Sequence, residues 1–397
     1  EKNRLVDLYR HTGAYTDDLR SLRDDIEKKK QDAIETLDEV LLTEFHKLGI
    51  KFEQASWDEI RQREGKSIKR SLRIEDIEAL EPFHWGYEFD EIVNRRGGFD
   101  AIITNPPWET FQPDAKEFFA EHSELVYKKK MDVKDFESEL RRVIKDKGVK
   151  HAWLSYKSKF PYQREFFRFA RQYENQVPVI NGKRHGKDVN LFKLFLEQNF
   201  NLLANGGLCG VVIPSGIYTD LGAKELRKLL FERTRITGLF GFENRKEIFE
   251  GVHRSFKFAV LTFEKGLSTI RFPAAFMRHD VSELQEFPRD APLHVDVDLV
   301  SKLSPDSLSV TEFKNVIDID IAKKALLSPL LGEHLSKPWN LELHREFNAT
   351  DDAGLFKKKP SKRSVPLFEG KMIHQFTHLW SEPRYWVDSK DARHALL

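Results

Sequence analysis

Residues 99 to 108 read Phe99-Asp100-Ala101-Ile102-Ile103-Thr104-Asn105-Pro106-Pro107-Trp108, and the fold turns on them. The apolar run 99–104 follows Arg95-Arg96-Gly97-Gly98 and predicts a buried strand entered from a turn. Asn-Pro-Pro then stops it, because proline lacks an N–H and fixes its own backbone. Ligands of doubly wound sheets sit at the carboxyl ends of strands, so residues 105–108 fall where a site belongs.

Working outward, the segment 189–204 has an apolar face through Leu191, Leu194, Phe195 and Leu202, and Asn205-Gly206-Gly207 reads as its C-terminal stop. Leu208 to Ile213 predicts a further buried strand, closed by Pro214-Ser215-Gly216. A helix over 221–233 and strands at Ile236 to Phe242 and Phe256 to Phe263 continue the rhythm of an α/β parallel sheet. Upstream, 17–48 is proline-free with Leu22, Ile26, Ile34, Leu37, Val40, Leu41 and Phe45 at helical spacing, which predicts one long packing helix. The charged and aromatic stretch from about 114 to 189 reads as a helical insertion. Past 267 the rhythm fades. We therefore expect a helical segment 1–82, a catalytic domain 83–267, and a third region 268–397.

A chain of 397 residues leaves room for two or three domains. Lys+Arg 65 against Asp+Glu 64 gives a net charge of +1, so nucleic-acid affinity would have to come from local basic surface, such as Lys357-Lys358-Lys359-Pro360-Ser361-Lys362-Arg363. A single cysteine, Cys209, excludes an internal disulfide or thiolate metal cluster; it reads as core, and implies a reducing, cytoplasmic location. No apolar run approaches the ~18 residues of a membrane span. The sequence opens on Glu1 and closes on Ala395-Leu396-Leu397 without a terminal motif, and is expected to be part of something longer.

Asn105 offers a side-chain carbonyl and Pro106 a backbone carbonyl, and two prolines aim those acceptors before a ligand arrives. That arrangement suits an amine whose lone pair is delocalised, as in an exocyclic nucleobase amine. The two acceptors favour a more tetrahedral, localised lone pair. A base drawn out of a duplex needs a flat side chain to receive it, and Trp108 supplies one.

At FDAIITNPPW the chain resembles the N6-adenine DNA methyltransferases, particularly the Eco57I-like group of type IIG restriction-modification enzymes and phage-defence methylases. Phe83-His84-Trp85 with Glu88-Phe89 resembles that group's lead-in, and residues 190–220 (NLFKLFLEQNFNLLANGGLCGVVIPSGIYTD) its next helix and strand. Residues 243–263 (ENRKEIFEGVHRSFKFAVLTF) resemble the segment with a second base-stacking aromatic, a role that falls on Phe249. Residues 365–380 (VPLFEGKMIHQFTHLW), with Arg384-Tyr385-Trp386, resemble the phrase leading into target recognition. The resemblance implies a Rossmann-like doubly wound methyltransferase sheet with helical insertions, followed by the start of a C-terminal target-recognition region. It implies S-adenosylmethionine as cofactor and double-stranded DNA as partner, alongside other restriction or defence subunits. It also implies Asn105, Pro106, Pro107 and Trp108 as the catalytic loop, with Asn105, Pro107, Asn190 and Leu191 walling the cofactor.

The sequence departs from the family in lacking a glycine-rich loop of the Asp-Pro-Ala-Cys-Gly-Ser-Gly kind. Gly238 to Gly241 and Gly206-Gly207 lack its context, so the loop is expected before Glu1. Glu369-Gly370-Lys371 has the spacing of a nuclease motif but no partner carboxylate, and His374 and His378 form no paired ligand pattern; no metal is expected. Methylation of RNA bases or of protein glutamine poses the same chemical problem as adenine. Cytosine N4 and a cofactor-free scaffold role also stay open.

Overall fold

The computed structural model describes all residues except 12–16, 129–131, 181–182, 185–187, 331–345 and 397. The chain divides into two compact units, Glu1–Leu326 and Leu327–Leu397.

The first unit is built on a six-stranded mixed sheet. In chain order its strands are β1 (Phe99–Thr104), β2 (Leu203–Pro214), β3 (Thr234–Glu243), β4 (Lys257–Lys265), β5 (Arg271–Arg278) and β6 (Leu293–Asp296). Their spatial order is β6-β5-β3-β4-β2-β1. The α/β expectation holds. The all-parallel reading does not: β4 lies antiparallel between β2 and β3, while β1 runs parallel to β2 and β5 parallel to β3. The connection 244–256 holds only a three-residue helical turn, too little to carry the chain across the sheet, so β4 turns back beside β3.

No division falls at 267. β5 and β6 extend the same sheet, correcting the expected boundary. Pro273 argues locally against a strand there, but it precedes Ala274, the first β5 residue paired with β3. The segment 1–82 is likewise not purely helical, since Lys51–Gln54 pairs with Ile68–Ser71.

Alternation along the strands sends two sets of side chains to opposite faces. One face (Val211, Ile213, Leu239, Ala259, Leu261, Phe263) packs under α4 (Leu191–Leu202) and α5 (Lys224–Arg233), through Phe192, Leu196, Phe200, Leu226 and Leu230. The other (Phe240, Phe242, Phe258, Ala275) receives Trp108, Phe249 and Phe287. α4 ends at Leu202, and Asn205-Gly206-Gly207 belongs to β2, not to a helix stop. There β2 is irregular, with Phe99 opposite Leu203 and Ala101 opposite Leu208.

α1 (Asp17–Lys47) matches the predicted long helix, with Phe45 buried but Val40 exposed. Its C-terminal half packs on Ile50, Leu72, Ile77 and Tyr162. Tyr162 lies on α3 (Phe160–Phe169), which follows α2 (Lys147–Ser158) in the helical insertion. A groove of about 1000 Å³ is lined by α1 together with Phe83, Trp85, Phe166 and Phe195, and Phe166 stacks on Phe45 at its floor (4.5 Å). No described helix is long and apolar enough to cross a membrane.

Cys209 is buried in β2, and burial pushes its thiol up to about 12. Thiolate being the reactive form, we expect no maleimide labelling of the native chain at about pH 8 and full labelling once denatured. Prompt native labelling would show that β2 is not a core strand.

Candidate active site

β1 is an exposed edge strand and not the buried one expected: it pairs with β2 alone among the described residues, none of its residues is buried, and Ile103 is 89% exposed, because no element covers its outer edge among the described residues. Its entry is held by aromatic packing, with Phe99 in edge contact with Phe89 (5.3 Å) and Trp85 (6.2 Å). The lead-in Phe83-His84-Trp85 therefore steadies the strand that carries the tetrapeptide.

At the exit, Asn105 and Pro107 are exposed, Pro106 is buried and Trp108 is half-buried. The Trp108 indole N–H donates to Asn105 Oδ1 (3.1 Å) and to the Val212 carbonyl of β2 (3.3 Å). This orients the Asn105 amide. A carbonyl oxygen has two lone pairs, so Oδ1 keeps one acceptor site open to a ligand. The indole ring stacks on Phe256 (5.5 Å, 10°) and Phe258 (5.7 Å, 29°), and meets Phe249 edge-on (5.1 Å, 73°).

The loop is anchored again just beyond. Leu191 N–H donates to the Glu109 carbonyl (2.9 Å), Phe111 N–H to the Val189 carbonyl (2.7 Å), and Thr110 Oγ1 to Asn190 Oδ1 (3.0 Å). Rigid anchoring on both sides is what preorganised acceptors require.

One comparison decides the family. The Eco57I restriction-modification methylase model matches residues 21–145 and 161–249, just over half of the sequence. The chain belongs to that family. A protein of Methanocaldococcus jannaschii described as a putative type II restriction enzyme and methyltransferase is 25% identical over 169 residues, covering 42% of this chain. The chain spans 9% of that relative's length. Among solved structures, a modification subunit of a putative type I restriction enzyme from Vibrio vulnificus is similar at TM-score 0.25 and 15% identity, over 47% of this chain and 27% of that one. A type I methyltransferase subunit from Streptococcus thermophilus is similar at TM-score 0.31 and 14% identity, over 55% and 38%. Likenesses this partial carry no argument.

Within this chain, the sequence-predicted residues fall into two groups. Asn105 to Trp108 and Phe249 come together on one face of the sheet. Asn190 and Leu191 lie behind the loop: Asn190 lines a cavity of about 310 Å³ with Lys193 and Asp220, and Leu191 faces the large groove. Lys193 is buried there, its Nζ donating to the Gly222 carbonyl (3.2 Å), and burial lowers its pKa.

Two residues escaped the sequence reading. Phe256, not Phe249, lies parallel to Trp108, and it lines a cavity of about 430 Å³ with Ser215, Asp220, His253 and Lys257. The period-two pair Phe256 and Phe258 was its only signal. Asn244 is wholly buried, its Nδ2 donating to the carbonyls of Phe249 and Val252 (2.9 Å each) and its Oδ1 accepting from Phe249 N–H (3.0 Å). It shapes the loop that presents Phe249, and nothing in its sequence neighbourhood marks it.

Asn244→Ala leaves two part-buried backbone groups, Phe249 N–H and the Val252 carbonyl, without partners, while the Phe249 carbonyl keeps Val252 N–H (3.4 Å), and we expect it to cost about 2–4 kcal/mol. Thermal denaturation would show the loss, and altered Trp fluorescence would report the loop's release from Trp108. An unchanged melting temperature would mean the loop does not depend on Asn244.

In the second unit, Glu369 is ion-paired with Lys371 (2.9 Å), and His374 stacks on Trp380 (4.4 Å). No group of three or more His, Cys, Asp or Glu side chains arranged to hold a metal occurs among the described residues.

Proposed function

We propose that this chain carries the catalytic loop of an S-adenosylmethionine-dependent methyltransferase that acts on the N6 amine of adenine in DNA, within a restriction-modification or phage-defence system. The observation that carries the reading is the Asn105 amide, exposed at the end of β1 and oriented by the Trp108 indole.

Asn105 Oδ1 and the Pro106 carbonyl accept the two N6 hydrogens. This draws the nitrogen toward a tetrahedral geometry and frees its lone pair. The base, drawn out of the duplex, rests on Trp108, whose indole is backed by Phe256 and Phe258 and flanked by Phe249. Aromatic walls on that side exclude water from the amine. The nitrogen gains a methyl group and returns a proton to solvent.

S-adenosylmethionine, when bound, supplies an electrophilic methyl group on a sulfonium. Asn105 and Pro107 fit one wall of its site, being exposed at the carboxyl end of β1 beside the strand's open edge. The glycine-rich loop that would complete the site is not in this sequence. Asn190 and Leu191 would wall the cofactor from the other side, and both also hold the loop, Asn190 Oδ1 accepting from Thr110 and Leu191 N–H donating to the Glu109 carbonyl. The region from Leu327 onward is assigned to target recognition, with duplex DNA and other restriction or defence subunits as partners in the cytoplasm.

The test is to incubate the full-length gene product with methyl-labelled S-adenosylmethionine and unmethylated duplex DNA, then digest to nucleosides. Label in N6-methyladenosine is expected. Label in N4-methylcytosine would change the target base. Cofactor binding without label in DNA would point to RNA or protein amides, and no cofactor binding to a scaffold.

A further inference from the structure

In the second unit, β7 (Ser364–Pro366) and β8 (Trp386–Asp388) form an antiparallel ribbon, extended by a hydrogen bond from Leu367 N–H to the Tyr385 carbonyl (2.9 Å). Residues 368–384 spring from that end. Within them, His374 and Thr377 exchange backbone hydrogen bonds (2.9 and 3.0 Å), leaving Gln375 and Phe376 as the tip of a tight turn.

Phe376 is unusual in two respects. Its φ is +68°, in the left-handed region that costs a side-chain-bearing residue about 1 kcal/mol or more. Its side chain is 98% exposed, and no aromatic partner lies near it among the described residues. The two hydrogen bonds of the turn hold the backbone in that conformation, but the ring it presents has no aromatic partner, so what it is presented to lies outside the turn. Ile373, Leu379 and Trp380 beside it in sequence are exposed as well.

Charge identifies that contact. Lys357 bridges Trp386 in antiparallel sense. The chain leaving Lys357 is back at the other end of the ribbon by Ser361, whose carbonyl accepts from Ser364 N–H (3.1 Å), and Arg363, whose carbonyl accepts from Ser389 N–H (2.9 Å), so residues 357–363 lie along the ribbon. Lys357, Lys358, Lys359 and Lys362 are all exposed, as is Arg363, and none is in an ion pair among the described residues. Unpaired cations on the ribbon that presents a strained, exposed aromatic match a duplex, whose phosphates take the cations and whose stacked bases take the ring.

We propose that the Phe376 turn is a wedge that inserts at a base step of duplex DNA while Lys358, Lys359 and Lys362 hold the flanking phosphates. This rests on the DNA reading above. The wedge is separate from the Asn105 loop and takes no part in methyl transfer.

Fluorescence anisotropy of the full chain with a labelled random-sequence duplex of about 30 base pairs, titrated between about 50 and 200 mM salt, tests it. Phe376→Gly should weaken binding about tenfold through lost stacking, keep the wild-type salt slope, and raise the melting temperature, since glycine removes the strain. Lys358→Ala with Lys359→Ala should weaken binding and reduce the slope of log K against log salt by about two. Wild-type binding with Phe376→Gly within twofold of it would overturn the wedge and leave the DNA reading standing. A lower melting temperature for Phe376→Gly would make Phe376 a structural residue and overturn the wedge too. Absence of wild-type binding to duplex at any salt tested would overturn both.

Discussion

Asn105→Ala should lower methyl transfer by about 10³-fold, the scale of removing one preorganised polar group from a transition-state site. The fold should barely register it. Asn105 is exposed, and the Trp108 indole N–H keeps its second acceptor at Val212, so stability should stay within about 0.5 kcal/mol of wild type. Asn105→Asp retains oxygen acceptors at the same place and should fall between wild type and alanine. Label transfer to DNA from methyl-labelled S-adenosylmethionine, at saturating DNA, measures the effect as a change in kcat. Equal activity in wild type and Asn105→Ala would remove the carbonyl from the mechanism. A rise in KM alone would leave Asn105 a binding group.

Gly98→Ala should be the most destabilising single change near the site. Gly98 is buried at φ +134°, and an added Cβ would lie 2.4 Å from Ala204 N and 2.5 Å from Leu202 O, where the chain entering β1 crosses the start of β2. Both contacts are backbone, and backbone in a sheet cannot swing aside as a side-chain tip can. Strain and overlap together should cost about 3 kcal/mol or more, lowering the melting temperature by about 6–12 °C. Gly97→Ala is the control. Gly97 also has positive φ (+81°), but its Cβ would meet nothing within 4 Å, so only the conformational penalty of about 1 kcal/mol should remain. Similar losses for the two variants would mean that the close approach at Gly98 is not made.

How far the sequence could be read depended on whether the deciding contact was local. β1 was legible as a strand from its apolar run and its turn, but not as the exposed edge strand it is, because burial is set by neighbours across the sheet; the next three strands were placed to within a few residues, because turn chemistry is written in neighbouring residues. The Asn105 loop was legible for the same reason, since two prolines and an amide act over four residues. The strand β5 was not, because Pro273 speaks against a strand locally and only its place before the paired residues shows it is tolerated. Phe249 was named for stacking, yet the ring parallel to Trp108 belongs to Phe256, an orientation decided by how loop 244–256 folds around the buried Asn244.

By itself, then, the sequence determined the α/β class, the strand that ends in Asn105-Pro106-Pro107-Trp108, and the family to which these belong. Periodicity, turn residues and a short rigid motif act through the nearest few residues. Only the tertiary structure decided the strand order, the antiparallel sense of β4 and the continuation of the sheet past 267. It also decided the hold of the Trp108 indole on Asn105 and of Asn190 on Thr110. Each of those is set by sheet register and by which buried polar groups find partners in three dimensions, and one-dimensional order specifies neither.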